Sequence, residues 1–149
     1  MSRNLQPVQI AKLVQVQHVR KAAAELALGV ARNAEAVASE AHRDAENTLV
    51  EAHHNWLEHL TANHFDPERA RDLAACILLR EVEMRKAAIA HETASSRHLY
   101  RQDEWRMGVA RADLADAMFR DARRLAMRAR EERRMADLAD RITYRWTHS

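Results

Sequence analysis

Apolar residues recur along this chain at alternating steps of three and four, the spacing that holds one stripe of a helix against a partner helix. From Leu13 the stripe runs through Val16, Ala23, Ala27, Val30, Ala34, Val37 and Ala41, with Arg20 as its one polar member. It then shifts by four to Ala45, Leu49, Ala52 and Trp56, a stutter that locally unwinds a supercoil. A second stripe starts at Ala70 and Leu73 and continues through Ile77, Met84, Ala88, His91, Ser95, His98, Gln102, Trp105, Val109, Ala112, Ala115, Phe119, Ala122, Ala126 and Ala129. Two long helices are therefore predicted, about 5–62 and about 67–146. Between them Asp66, Pro67 and Glu68 read as a helix start: an acceptor side chain at the cap, a proline where no N–H is needed, and negative charge at the positive helix end. Pro7 marks the first helix start in the same way, with Asn4 as its cap.

A turn as short as 63–66 forces the helices antiparallel, which sets Trp56 near Leu73, Ala41 near Ala88 and Leu13 near Ala117. The expected fold is all-α, a single antiparallel two-helix coiled-coil hairpin spanning 1–149, with a longer, overhanging second helix. The seam between His91 and Glu104 carries His91, Ser95, His98 and Gln102, so it should be the least stable part. At ~1.5 Å per residue the first helix is about 85 Å long and the second about 120 Å, so the second has no intramolecular partner beyond about Leu125. Yet Met135, Leu138, Ile142 and Trp146 stand three, four and four apart there, on one face. Leaving them in water forgoes on the order of 1.5–3 kcal/mol each. Leu114, Met118 and Leu125 add a second apolar strip just before the overhang. This end reads as built for another protein, with self-association of two hairpins as the plainer alternative.

Composition agrees with long helices. Of 149 residues 47% are hydrophobic, many of them alanine, and 31% are charged, while two glycines and two prolines leave little material for turns. The sparse β-branched and aromatic content leaves little for strands. The single Cys76 cannot form an internal disulfide and suits a reducing compartment. No apolar run approaches the roughly 20 residues needed to span a bilayer, and the amino terminus lacks a signal-peptide core, so a cytoplasmic location is expected. A net charge of +2 does not by itself imply nucleic acid.

Nine histidines raise the question of a metal. Glu51 and His54 stand at i, i+3, as in di-iron four-helix carboxylate sites, but the pair occurs once, and a two-helix hairpin has no enclosed interior to keep a metal dry. His53, His54, His59 and His64 crowd the hairpin tip as a solvated polar face. Cys76, Ser95 and Ser96 lack the setting of a nucleophile, and the isolated Gly29 and Gly108 form no phosphate loop. No catalytic, cofactor or metal residues are expected. In RRLAMRAREERR, Arg123 to Arg134, six arginines within three turns could follow a phosphate backbone with strongly salt-dependent binding. Glu131 and Glu132 interrupt the run, however, and the arginines spread round the helix. An acidic protein partner is favoured over DNA by the run's place beside the Met135 to Trp146 stripe, where a basic ring would steer a docking that the apolar tip anchors.

The amino-terminal run LQPVQIAKLVQVQHVRKAAAELALGVARNAEA and the Arg-rich end RRLAMRAREERRMADLADRITYRW, on a chain of this length with two long helices, resemble FliJ, the flagellar export stalk, and the YscO-type proteins of related type III secretion systems. The resemblance covers the whole chain without a diagnostic motif. It implies an antiparallel hairpin whose terminal end enters the central hole of a hexameric export ATPase. The other end would engage the membrane-embedded export gate and help deliver substrates or their chaperones. On that reading Arg128, Arg130, Arg133, Arg134, Met135, Leu138, Ile142 and Trp146 form the ATPase end. Leu49, Trp56, Phe65, Leu73 and Ile77 lie around the gate end. The histidines at the tip are not a signature of that family.

Overall fold

A computed structural model describes residues 6–148 and contains two helices, α1 (Pro7–Thr61) and α2 (Pro67–Thr147). Asn4, expected to cap α1, lies outside the described residues. The start of α1 is closed by Gln6, whose carbonyl accepts from the N–H of Gln9 and of Ile10, while its own N–H donates to Gln9 Oε1. At α2 the sequence reading holds. Asp66 Oδ1 accepts from the Glu68 N–H at 3.0 Å and the Asp66 carbonyl accepts from the Ala70 N–H at 3.0 Å.

The helices pack against each other as an antiparallel hairpin with the second helix the longer. Two compact units divide the chain. One is Glu25–Glu104, and the other joins the described residues up to Ala24 with those from Trp105 onward. Within Glu25–Glu104, α1 turns Leu28, Ala31, Glu35, Ala38, His42, Ala45, Leu49, Ala52, Trp56 and His59 inward. These follow an unbroken seven-residue repeat. Facing them are Ala70, Leu73, Ile77, Arg80, Met84, Ala87, His91, Ala94, His98 and Arg101 of α2, on the same repeat. Glu35 pairs with His98 Nδ1, and His42 stacks on His91 at 5.8 Å. His98 Nε2 is buried without a hydrogen-bond partner, which weakens the seam at this point. The polar residues expected on the α2 seam, His91, Ser95, His98 and Gln102, are all half-buried there.

In the other unit Ile10, Val14, Gln17, Lys21 and Ala24 face Trp105, Gly108, Ala112, Ala115, Phe119, Ala122 and Ala126. Gly108 permits a close approach: a Cβ there would stand 3.7 Å from Lys21 Cα and 3.9 Å from Ala24 Cβ. His18 Nε2 reaches Asp116 Oδ1 at 2.9 Å.

Two expectations for α1 are overturned. Leu13, Val16, Ala23, Val30, Ala34, Val37 and Ala41 are exposed, Val30 by 71% and Val37 by 68%, and no stutter interrupts the true seam. A partner with an uninterrupted seven-residue repeat requires the same period opposite. The stripe that meets this condition contains the polar residues Gln17, Lys21, Glu35 and His42, the last three accommodated by Gly108, His98 and His91 across the seam. The register also differs. His18 with Asp116, Glu35 with His98, and His42 with His91 have numbers totalling 133 or 134, so α2 sits about one turn from the expected pairing of Ala41 with Ala88. Interlocking layers fix the register, and counting evenly outward from the turn does not.

Candidate interaction surface

On this register Pro7 stands opposite Ala126 or Met127. Ala126 is accordingly the last half-buried residue of α2, and every residue from Met127 to His148 is exposed. The overhang remains helical through its backbone ladder, with Thr143 and Thr147 hydroxyls donating back to the carbonyls of Ala139 and Thr143. Tyr144 stacks on His148 at 4.1 Å at its end. Met135, Leu138, Ile142 and Trp146 are exposed by 67%, 52%, 57% and 82%. Leu138, Ile142 and Tyr144, with Asp140, Arg141 and Arg145, line a shallow groove along this face. Arg128, Arg130, Arg133 and Arg134 are exposed as well, so the eight residues assigned to this end share one accessible stretch of helix.

The apolar stripe does not prolong the seam. Continued past Ala126, the seam repeat reaches Ala129, Arg133, Ala136, Asp140 and Thr143, all small or polar and all exposed. Ala129 therefore drops out of the seam. Met135, Ile142 and Trp146 lie about 100° round the helix, on the face that also carries Met107, Leu114, Met118 and Leu125 beside α1, with Leu138 at its edge opposite the seam. Those four are exposed too, so one apolar face runs from the paired part of α2 into the overhang.

The hairpin end is different. Of Leu49, Trp56, Phe65, Leu73 and Ile77, only Phe65 is exposed, and it stacks on His59 at 5.7 Å. The other four are half-buried in the seam and hold the two helices together. His59 Nε2 lies 3.0 Å from the Asp66 carbonyl oxygen and 3.3 Å from the Asp66 amide nitrogen, which ties the end of α1 to the start of α2. His53 Nδ1 bonds the Leu49 carbonyl at 3.0 Å and His54 lies 3.9 Å from Glu58, so both are engaged along their own helix. Among the described residues no group of three or more His, Cys, Asp or Glu side chains could hold a metal. Cys76 is free and half-buried.

Local charge pairs flank the seam. Arg101 Nη1 donates to Glu104 Oε2 at 2.7 Å, and this bond, followed by one from Tyr100, holds the Glu104 carboxyl below its ordinary range. The same carboxylate raises the Tyr100 phenol, and Glu83 raises Arg80 through a 2.8 Å bond.

The outer face of α1 carries Val16, Val30 and Val37, which the sequence spacing assigns inward, together with Val19 and Leu26, all of them exposed. No helix of the described residues is long and apolar enough to cross a membrane. No family model, curated protein or solved structure matches this chain.

Proposed function

We propose that the protein is a non-enzymatic coiled-coil stalk of a flagellar or related type III protein export apparatus. The exposed end of α2 binds the export ATPase ring, and the hairpin end faces the export gate, where substrates or their chaperones are delivered. Such a stalk works in the cytoplasm, held peripherally at the inner membrane by the apparatus. The observation that carries the reading is the overhang: a 21-residue stretch of helix from Met127 to Thr147 that is exposed throughout among the described residues, with the apolar stripe Met135, Leu138, Ile142 and Trp146 on it and arginines around it. A ring lined by acidic and apolar groups would be steered by the arginines and anchored by the stripe. The resemblance to FliJ and YscO-type proteins supplies the identity of that ring. Capture of the purified ATPase by the wild type, lost in Leu138→Asp and Ile142→Asp while helix content stays unchanged, is the expected result. Undiminished capture by both variants refutes it.

The exposure of all six arginines between Arg123 and Arg134 favours one second reading, binding to a phosphate backbone. That reading requires affinity for duplex DNA at low ionic strength that falls steeply with salt, and a protein that binds none at low salt excludes it.

A further inference from the structure

The apolar face of α2 has a pattern of its own. Ten positions from Leu114 to Trp146 follow steps of four and three: Leu114, Met118, Asp121, Leu125, Arg128, Glu132, Met135, Ala139, Ile142 and Trp146. All ten are exposed, and the hydrophobic residues among them are interrupted by three charges. We propose that a second copy of this chain covers this face, its α2 running antiparallel across the first with the dyad between Arg128 and Glu132.

The charges decide the arrangement. In an antiparallel pair centred there, Arg128 of each copy meets Glu132 of the other, and Met135 packs on Leu125. Ile142 packs on Met118, Trp146 on Leu114, and Asp121 lies against the small Ala139. Every large apolar residue thus meets another, and each arginine meets an acid. Sliding the copies by one heptad in one direction sets Asp121 against Glu132. The other direction sets Glu132 against Met135 and Arg128 against Ala139. A parallel pair sets Asp121, Arg128 and Glu132 each against its own like charge. A single register is therefore selected by rejection of the others. At the edge Leu138 covers the stem of Arg124, while Glu131 meets its counterpart in the open, where water and salt screen the repulsion. The hairpin's own packing does not obstruct the face, since Leu114 and Leu125 remain 63% and 65% exposed beside α1.

This pairing stands without the export reading. It covers the stripe that an ATPase ring would cover, so copy and ring exclude each other, and a monomer that still captured the ring would sink the pairing alone. Sedimentation equilibrium of the full chain is the test. The wild type is expected to show a concentration-dependent dimer. Arg128→Glu and Glu132→Arg each place two like-charged contacts at the dyad and raise the dissociation constant at least about tenfold. Mixing the two variants restores the dimer, because one then supplies two acids and the other two arginines. That recovery cannot come from the i, i+4 pair within one helix. The double swap R128E/E132R dimerises as the wild type does. A wild type that stays monomeric, single variants that dimerise unchanged, a mixture no more associated than its components, or a dissociated double swap would each overturn the proposal.

Discussion

Gly108 and Gly29 together measure how closely the helices pass. Both lie inside helices, where glycine costs about 1 kcal/mol relative to alanine because its backbone is free in the unfolded chain. Neither has a positive φ that would require glycine. At Gly29 an added Cβ meets nothing within 4 Å, so Gly29→Ala is expected to stabilise by about 0.5–1 kcal/mol from propensity alone. At Gly108 the same Cβ stands 3.7 Å from Lys21 Cα and 3.9 Å from Ala24 Cβ, an ordinary contact, so Gly108→Ala stabilises by at least as much. Leucine separates the sites. At Gly29 it extends into solvent and keeps most of the propensity gain. At Gly108 its further carbons have the backbone of α1 in their way and cost about 1–3 kcal/mol through overpacking. Thermal unfolding followed by far-ultraviolet circular dichroism reads the contrast, at about 2–4 °C per kcal/mol for a chain of this length. A Gly108→Leu protein that melts with Gly29→Leu would refute the close approach, and with it the register that brings Lys21 over Gly108.

The exchanged faces of α1 give a second test. Leu28 is 7% exposed and Val30 71%, so Leu28→Ala is expected to cost about 2 kcal/mol and Val30→Ala less than about 0.5 kcal/mol in urea unfolding; the reverse order would restore the outward stripe as the seam. The third concerns pH. The Glu104 carboxyl is held below its ordinary value of 4.5 by Arg101 and then Tyr100, so the folded state binds this proton less tightly than the unfolded. Its contribution is present above the unfolded value and lost as pH falls through the lower folded one. Glu104→Gln should therefore flatten the decline of the thermal midpoint below about pH 4.5, and only slightly, since the side chain is more than a third exposed and solvent screens the pair. An unchanged acid limb would count against the Arg101 bond.

Much of the fold was legible in the sequence because its signals are local or redundant. The Asp66-Pro67-Glu68 start needs only three adjacent residues, and α2 announces its seam with Leu73, Ile77, Met84, Trp105 and Phe119. The α1 seam was not legible for a physical reason. Its best apolar spacing, Val16 through Val37, faces outward, while the inward face carries Gln17, Lys21, Glu35 and His42. Three of those become tolerable through a residue more than forty positions away: Gly108 beneath Lys21, His98 beside Glu35, His91 against His42. One helix's periodicity cannot display such compensation. The overhang could be read because it needs only lengths, whereas its separation from the seam needed the register.

That separation changes what the exposed surface means. Had Met135, Leu138, Ile142 and Trp146 continued the seam, the simplest occupant would have been a longer first helix. They lie instead on a different face, one already exposed alongside α1 at Leu114 and Leu125. Lengthening α1 would leave them bare, since its next turns would meet Ala129, Arg133 and Ala136. Among the described residues the large side chains of the inward face are mostly half-buried, and the fully buried core is Ile10 and Leu28 with four alanines. The larger aliphatic side chains lie outside on both helices. Burying them against a second molecule would add apolar contact to that of the seam, so association at these faces and the stability of the hairpin are coupled by mass action.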